Sequence, residues 1–313
     1  MVKRRTFLKT SALALASLSL PGCKTPAGKQ VPAEKPFRIS LNTSTIRTYQ
    51  LPIEQQIEVC SAAGFDGIEL WTADIQKYLN NGGSPAGLAR KLKDNRLILE
   101  NIIGFAPWAV ADEQQRKQGR LQMQQEMELT AQLGGKFIAA PLMGVKQITK
   151  DKLDEFALYY RNILETGQTT GVTPLLELWG SGALYNLADA LHIIIGTGRP
   201  DANLLLDFYH LYRGGNSFDS LKMLNVARLP LFHINDYPAF PPREQLTDNH
   251  RVYPGDGICP FGSILPFLYQ AGFRGAFSVE LFNESYCNQP VAQMLAVTLE
   301  KTKLLIKNNL SCI

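Results

Sequence analysis

The sequence predicts an α/β fold, a single-domain (β/α)₈ TIM barrel, and three observations carry the prediction. Short apolar runs alternate with longer amphipathic ones eight times between Phe37 and Ile313, the pattern of parallel βαβ units. The short runs are apolar at nearly every position, as strands buried on both faces are. No Gly-rich phosphate turn follows the first run, which favours a closed barrel over a doubly wound sheet. The length from Phe37 onward also suits one barrel domain.

Taken in order, Phe37–Asn42 reads as the first strand and Pro52–Ala63 as a helix that Gly64 ends. Gly67–Trp71 is the second strand, Ser84–Asp94 a helix and Leu97–Ile103 the third strand. Glu113–Leu133 is a long polar-rich helix stopped by Gly134-Gly135, and Lys136–Pro141 is the fourth strand. Helix Asp151–Gly167 leads to strand five, Val172–Leu178, and helix Asn186–Gly196 to strand six, Ala202–Asp207. A short helix over Phe218–Val226 precedes strand seven, Leu231–Asn235. Helix Phe261–Ala271, strand eight (Ala276–Leu281) and helix Pro290–Lys307 close the pattern. The stretch from Asp236 to Pro260 is irregular and holds Pro238, Pro241, Pro242, Pro254 and Pro260, so it is expected to be ordered beside the site.

Charged residues stand where the later strands end: Glu177 in strand five, Asp207 in six, His233 in seven and Glu280 in eight. A carboxylate or imidazole inside an apolar strand is costly unless it is paired or binds metal. In a barrel all four strand ends meet at one mouth. Three carboxylates and one imidazole suit a hard-to-borderline divalent ion. Mn²⁺ is preferred, with Mg²⁺, Co²⁺ or Zn²⁺ as alternatives. Without a cation the carboxylates would repel and at least one should take a proton.

The order Glu, Asp, His, Glu at strands five to eight resembles the xylose-isomerase-like barrel superfamily of sugar isomerases and epimerases. The likeness extends over Gly67-Ile68-Glu69-Leu70, Asp207-Phe208-Tyr209-His210, His233-Ile234-Asn235-Asp236, Arg251 to Gly257, and Gly275 to Glu280. The resemblance implies that Glu177, Asp207, His233 and Glu280 are the metal ligands and that Glu177 and Glu280 are also the acid–base pair. It further implies that His210 and Arg251 hydrogen-bond substrate oxygens. Glu69 is expected to orient a ligand or the substrate, or else to form an unrelated ion pair. Trp71, Trp108 and Trp179 each follow a strand and are candidates to stack on a sugar ring, with packing under the rim as the alternative. Asp236 is a candidate to assist His233 or to reach a second metal.

The N-terminus reads as an address. Lys3-Arg4-Arg5-Thr6-Phe7-Leu8-Lys9 ahead of the apolar run Ser11–Leu20 resembles a twin-arginine export signal. Leu20-Pro21-Gly22-Cys23 resembles a bacterial lipobox, with Cys23 the lipidated residue. Residues 1–22 are thus expected to be the signal, 23–36 a flexible tether and 37–313 the barrel. The formal charge of +4 resides in the leader, since Lys3, Arg4, Arg5 and Lys9 are its only charges; the mature chain is formally neutral. No nucleic-acid partner is expected. Cys60 reads as a core residue, while a Cys259–Cys287 bridge stays open.

The leading expectation is an exported, membrane-anchored lipoprotein, in periplasm or at the cell surface, that isomerises or epimerises an unphosphorylated sugar or keto-sugar through an enediolate. No phosphate cradle is evident, and its membrane contact is the lipid anchor alone. A non-catalytic carbohydrate-binding lipoprotein is the alternative from another class, and a lyase or dehydratase is a chemical neighbour. A metal-dependent nuclease would need more ligands and a basic groove than four histidines and a neutral chain provide. A homo-oligomer is left open.

Overall fold

The computed structural model describes residues 36–311; the expected signal, the anchor Cys23 and the tether as far as Lys35 lie outside the described residues, as does Cys312. Eight strands are β1 Arg38–Asn42, β2 Gly67–Trp71, β3 Ile98–Ile103, β4 Phe137–Ala140, β5 Thr173–Glu177, β6 Asn203–Asp207, β7 Leu231–Ile234 and β8 Ala276–Val279. Each pairs in parallel with the next, and β1 pairs with β8 to close the barrel. Parallel neighbours need a crossover, and helices supply it: α1 Ile53–Ala63, α2 Thr72–Asn80, α3 Pro85–Asp94, α4 Glu113–Gln132, α5 Leu153–Thr170, α6 Leu187–Gly196, α7 Phe208–Arg213, α8 Phe261–Gln270 and α9 Val291–Leu310.

Local chemistry fixes the helix ends. Ser84 accepts from Gly87 N at the start of α3, where Pro85 takes the first helical position, and Asn186 accepts from Ala188 and Asp189 at the start of α6. Gly64 ends α1 at φ +90°, a left-handed conformation that glycine tolerates without strain.

Two-residue periodicity along the strands places the site. Leu175, Leu205 and Leu231 point into the barrel and form a small cluster with Ile103, Ala139 and Ala276. Their neighbours Leu176, Leu206 and Phe232 point outward into the larger core under the helices. Two residues beyond the inward leucines stand Glu177, Asp207 and His233, so they too face inward. Glu280 bears the same relation to Ser278 and sits one residue past the end of β8.

Two expectations are corrected. The helix expected over Phe218–Val226 is instead a pair of 3₁₀ segments, Phe218–Met223 and Val226–Arg228. The α-helix of that unit is α7, which starts directly after Asp207 because the Asp207 carboxylate accepts from His210 N and caps it. The irregular stretch after β7 is ordered, as expected, but Asp236 reaches neither His233 nor a metal position. Its carboxylate accepts backbone N–H groups from Tyr237, Gly255, Gly257 and Cys259 and gathers the loop around itself. Gly257 has no room for a side chain there: a Cβ would lie 2.2 Å from Tyr237 O and 2.4 Å from Asp236 Oδ1. Cys60 is buried in the core, and Cys60, Cys259 and Cys287 are free thiols, so the open bridge is not formed.

Candidate metal centre and active site

At the C-terminal mouth of the barrel, Asp207, His233 and Glu280 offer ligand atoms that all lie within 4.8 Å of one another. Nδ1 of His233 is 3.2 Å from Glu280 Oε2, 3.8 Å from Asp207 Oδ2 and 3.8 Å from Glu177 Oε1. One imidazole nitrogen therefore faces all three carboxylates, and Glu177 stands at the edge of the tighter trio.

His233, Glu280 and Asp207 are each held by a partner. The other nitrogen of His233, Nε2, lies 3.1 Å from Glu69 Oε1 and 3.2 Å from Glu69 Oε2, so its N–H donates to that carboxylate and the ring cannot turn. Glu69, fully buried, accepts in turn from Asn101 Nδ2 at 2.8 Å. Asn42 Nδ2 donates to Glu280 Oε1 at 2.9 Å, and Asn42 Oδ1 accepts from Trp71 Nε1 at 2.9 Å. Asn235 Nδ2 donates to Asp207 Oδ2 at 2.8 Å. Asn42, Asn101 and Asn235 were not singled out in the sequence. Their signal is an amide at or near the end of an apolar strand, weak beside a charge in the same place.

The residues fit a divalent cation. Although buried, Nδ1 of His233 and Oε2 of Glu177 make no hydrogen bond. A nitrogen lone pair facing three carboxylates has no favourable neighbour other than a proton or a metal ion. The protein without an ion answers with protons. Burial disfavours the imidazolium of His233, but Glu280 and Glu69 outweigh it and raise its pKa well above the ordinary value. Burial, reinforced by the charge of Glu280, pushes Glu177 up to about 8. Burial raises Asp207 as well, with Arg251 opposing. Glu280 also feels burial, yet His233 and Arg251 outweigh it and hold the acid below the usual carboxylate range.

Arg251 is placed differently from the expectation that it bonds a substrate oxygen. All five of its N–H donors are engaged within the protein. Nη1 donates to Asp207 Oδ2 and Glu280 Oε2 at 2.9 and 2.8 Å, Nη2 to Asp248 Oδ1 at 2.6 Å and His210 Nε2 at 3.1 Å, and Nε to Asp248 Oδ1 at 3.0 Å. A guanidinium is a fork of fixed shape, and here it ties the rim residue Asp248 to two candidate ligands. Because Arg251 donates to Nε2 of His210, that imidazole carries its proton on Nδ1, which has no protein partner. Burial, then the charge of Arg251, lowers the His210 pKa to about 3 and keeps the ring neutral.

Above these groups lies a cavity of about 250 Å³ whose floor includes Glu177, His210, Arg251 and Glu280. Aromatic rings frame it: Trp71 stands 5.2 Å from Phe105 and 6.4 Å from Phe282, and Phe105 stands 6.2 Å from Trp179. Trp179 is thus where a sugar-stacking residue was expected, while Phe105 and Phe282 were missed, since a lone phenylalanine after a strand reads as core. The expectation for Trp108 is corrected. It is fully buried under the helix layer, packs 6.0 Å from Tyr160 and does not line the cavity. Glu69 does not line it either; its carboxylate lies behind His233 and orients that candidate metal ligand and not the substrate.

Residues 57–303 match the xylose isomerase-like TIM barrel family. An inosose isomerase of Bacillus velezensis is 27% identical over 259 residues, 81% of this chain and 92% of the relative. A fructoselysine 3-epimerase of Escherichia coli O157:H7 is 23% identical over 267 residues, covering 77% of this chain and 89% of that protein. A 3-dehydroshikimate dehydratase of Pseudomonas aeruginosa is 23% identical over 249 residues, 76% of this chain but 37% of the longer relative. The solved structure of the IOLI protein with a binding zinc atom superposes with a TM-score of 0.80 at 24% identity, covering 88% of this chain and all (100%) of that one. With the match extending over most of the barrel, the chain belongs to the xylose isomerase-like TIM barrel family.

Proposed function

We propose that the protein is a divalent-metal-dependent isomerase or epimerase of an unphosphorylated sugar or keto-sugar, with Glu177, Asp207, His233 and Glu280 as ligands and Glu177 and Glu280 as the acid–base pair. The carrying observation is that both glutamates approach one imidazole nitrogen, at 3.8 and 3.2 Å, on the floor of a single cavity. Relatives bearing isomerase, epimerase and dehydratase names support the reaction class.

The bound ion, Mn²⁺ in this reading, supplies Lewis-acid stabilisation of negative charge on the substrate oxygens. The chain's own residues move the proton. Two carboxyl groups on the floor of one cavity can divide the removal and the return of a proton between them. Glu280 removes the proton next to the carbonyl. The C–H electron pair becomes the new C=C bond and the carbonyl π pair moves to oxygen. The second carboxyl, Glu177, returns a proton taken up from solvent, and solvent then restores both groups. Return to the other face of the same carbon gives an epimer; return to the neighbouring carbon, with the hydroxyl proton passing to the former carbonyl oxygen, gives the isomer. In this reading His210 Nδ1–H, buried and without a protein partner, is the donor assigned to a substrate oxygen, and the Trp71, Phe105 and Trp179 rings offer apolar faces to the sugar ring.

The leader sequence supports export as a folded protein and anchoring through Cys23, and in this reading the chemistry takes place outside the cytoplasm. The test is solvent exchange. Protein loaded with Mn²⁺ should exchange a substrate C–H proton with D₂O on a member of a keto-sugar panel. No exchange across the panel by fully loaded protein contradicts the reading.

A further inference from the structure

The mouth holds a second cavity for which the proton-transfer chemistry has no use. It measures about 340 Å³ and shares Glu177, Trp179 and Ser181 with the cavity over the carboxylates. The two spaces therefore meet at one of the reacting carboxyl groups. The remaining walls come from two loops: Leu142, Met143 and Val145 after β4, and Ala183 and Leu184 after β5, with Gly144 and Gly182 between them.

These walls are built rather than incidental. Each loop closes on its own backbone: Met143 N donates to Pro141 O and Val145 N to Leu142 O, while Gly182 N donates to Trp179 O and Trp179 N to Leu184 O. The backbone groups that turn the loops thus find partners inside them. Beyond the three shared residues, every wall side chain is aliphatic, a thioether or absent. A sugar ring carries hydroxyls around its edge, and each one buried without a partner is costly. An apolar or aromatic group has no such cost and gains from leaving water. A ligand that fills only the carboxylate side leaves this space to water against apolar walls.

We propose that the substrate is a keto-sugar glycoside with an apolar, aryl-type aglycone, its sugar ring over Glu177 and Glu280 and its aglycone in the second cavity, with Trp179 as the wall between. This assignment rests on the sugar position of the proposed function. It explains why a cavity with carboxyl groups on its floor opens at Glu177 into one whose other side-chain walls are aliphatic or a thioether.

Calorimetric titration of the full chain with two unreactive probes tests it. 4-Nitrophenyl β-D-glucopyranoside should bind at least ~10-fold more tightly than methyl β-D-glucopyranoside, a difference of about 1.4 kcal/mol. Ala183→Trp and Val145→Trp, which fill the second cavity from opposite loops, should each bring the two affinities to within a factor of about two. Thermal melts identify a variant that fails to fold, in which case the other variant decides. A wild-type preference below about three-fold, a preference that survives the substitutions, or no binding of either probe overturns the assignment. D₂O exchange is read separately. Its absence alongside an aryl preference sinks the isomerase reading and leaves the apolar subsite standing.

Discussion

Glu69 meets neither solvent nor the cavity, yet it decides which nitrogen of His233 faces the carboxylates. A carboxylate behind a metal-binding imidazole raises its basicity and fixes its tautomer. Glu69→Gln keeps an acceptor but removes the charge, so Mn²⁺ affinity should fall by about ten-fold, measured by competition with a chelator. Glu177→Gln and Glu280→Gln should each lower D₂O exchange by roughly 10²–10⁴-fold while sugar binding persists, since each removes a proton-transfer group. Tight sugar binding that both substitutions leave unchanged, with no exchange above background in the wild type, would favour the purely binding alternative.

The Glu177 proton also gives a pH dependence with a definite sign. Its folded-state pKa, raised from 4.5 to about 8, means that the metal-free folded protein holds a proton which the unfolded chain has already lost between those values. Stability of the stripped protein should therefore decline as pH rises through that window. A ligand carboxyl must be ionised to bind metal, so uptake near pH 7 should release protons and tighten as pH rises toward 8. Calorimetry in buffers of different ionisation heat counts the protons released.

At the level of elements, Asp236 acts as the nucleus of the long β7–α8 connection. Four backbone N–H groups converge on its carboxylate, and Asp236 pairs with Val252 next to Arg251. Asp236→Ala leaves those donors without their acceptor. It should cost roughly 3 kcal/mol by urea unfolding and open residues 236–260 to limited proteolysis. The same element shows what a sequence can convey. Five prolines and a run of polar residues announce an ordered loop, but only its three-dimensional path reveals which carboxylate it wraps. The eight strands were legible because buried parallel strands are apolar throughout. The four strand-end charges were legible because they break that pattern. Helix α7 was not, because its cap is Asp207, which reads as a strand end, and because it spans only Phe208–Arg213. Trp108 misled for a related reason: position after a strand does not tell rim from helix layer, and here the ring turned toward Tyr160.

On the scale of the whole molecule, the barrel converts a spacing of two residues along each strand into one convergent site. Inward leucines pack the interior, and the charges above them meet at the mouth. No helix among the described residues is long and apolar enough to cross a membrane, and the proposed attachment is Cys23, directly after the leader. Cys23→Ser should abolish palmitate labelling in bacteria and release the chain into the soluble fraction; labelling that persists would contradict the anchor. The central claim is that four side chains from successive strands hold one ion. Anomalous diffraction from crystals grown with Mn²⁺ tests it most directly. A single peak within coordination distance of Glu177, Asp207, His233 Nδ1 and Glu280, with Arg251 drawn off at least one shared oxygen, is the expected result. Fully loaded crystals with no peak at the mouth, or with the ion bound by other residues, would contradict it.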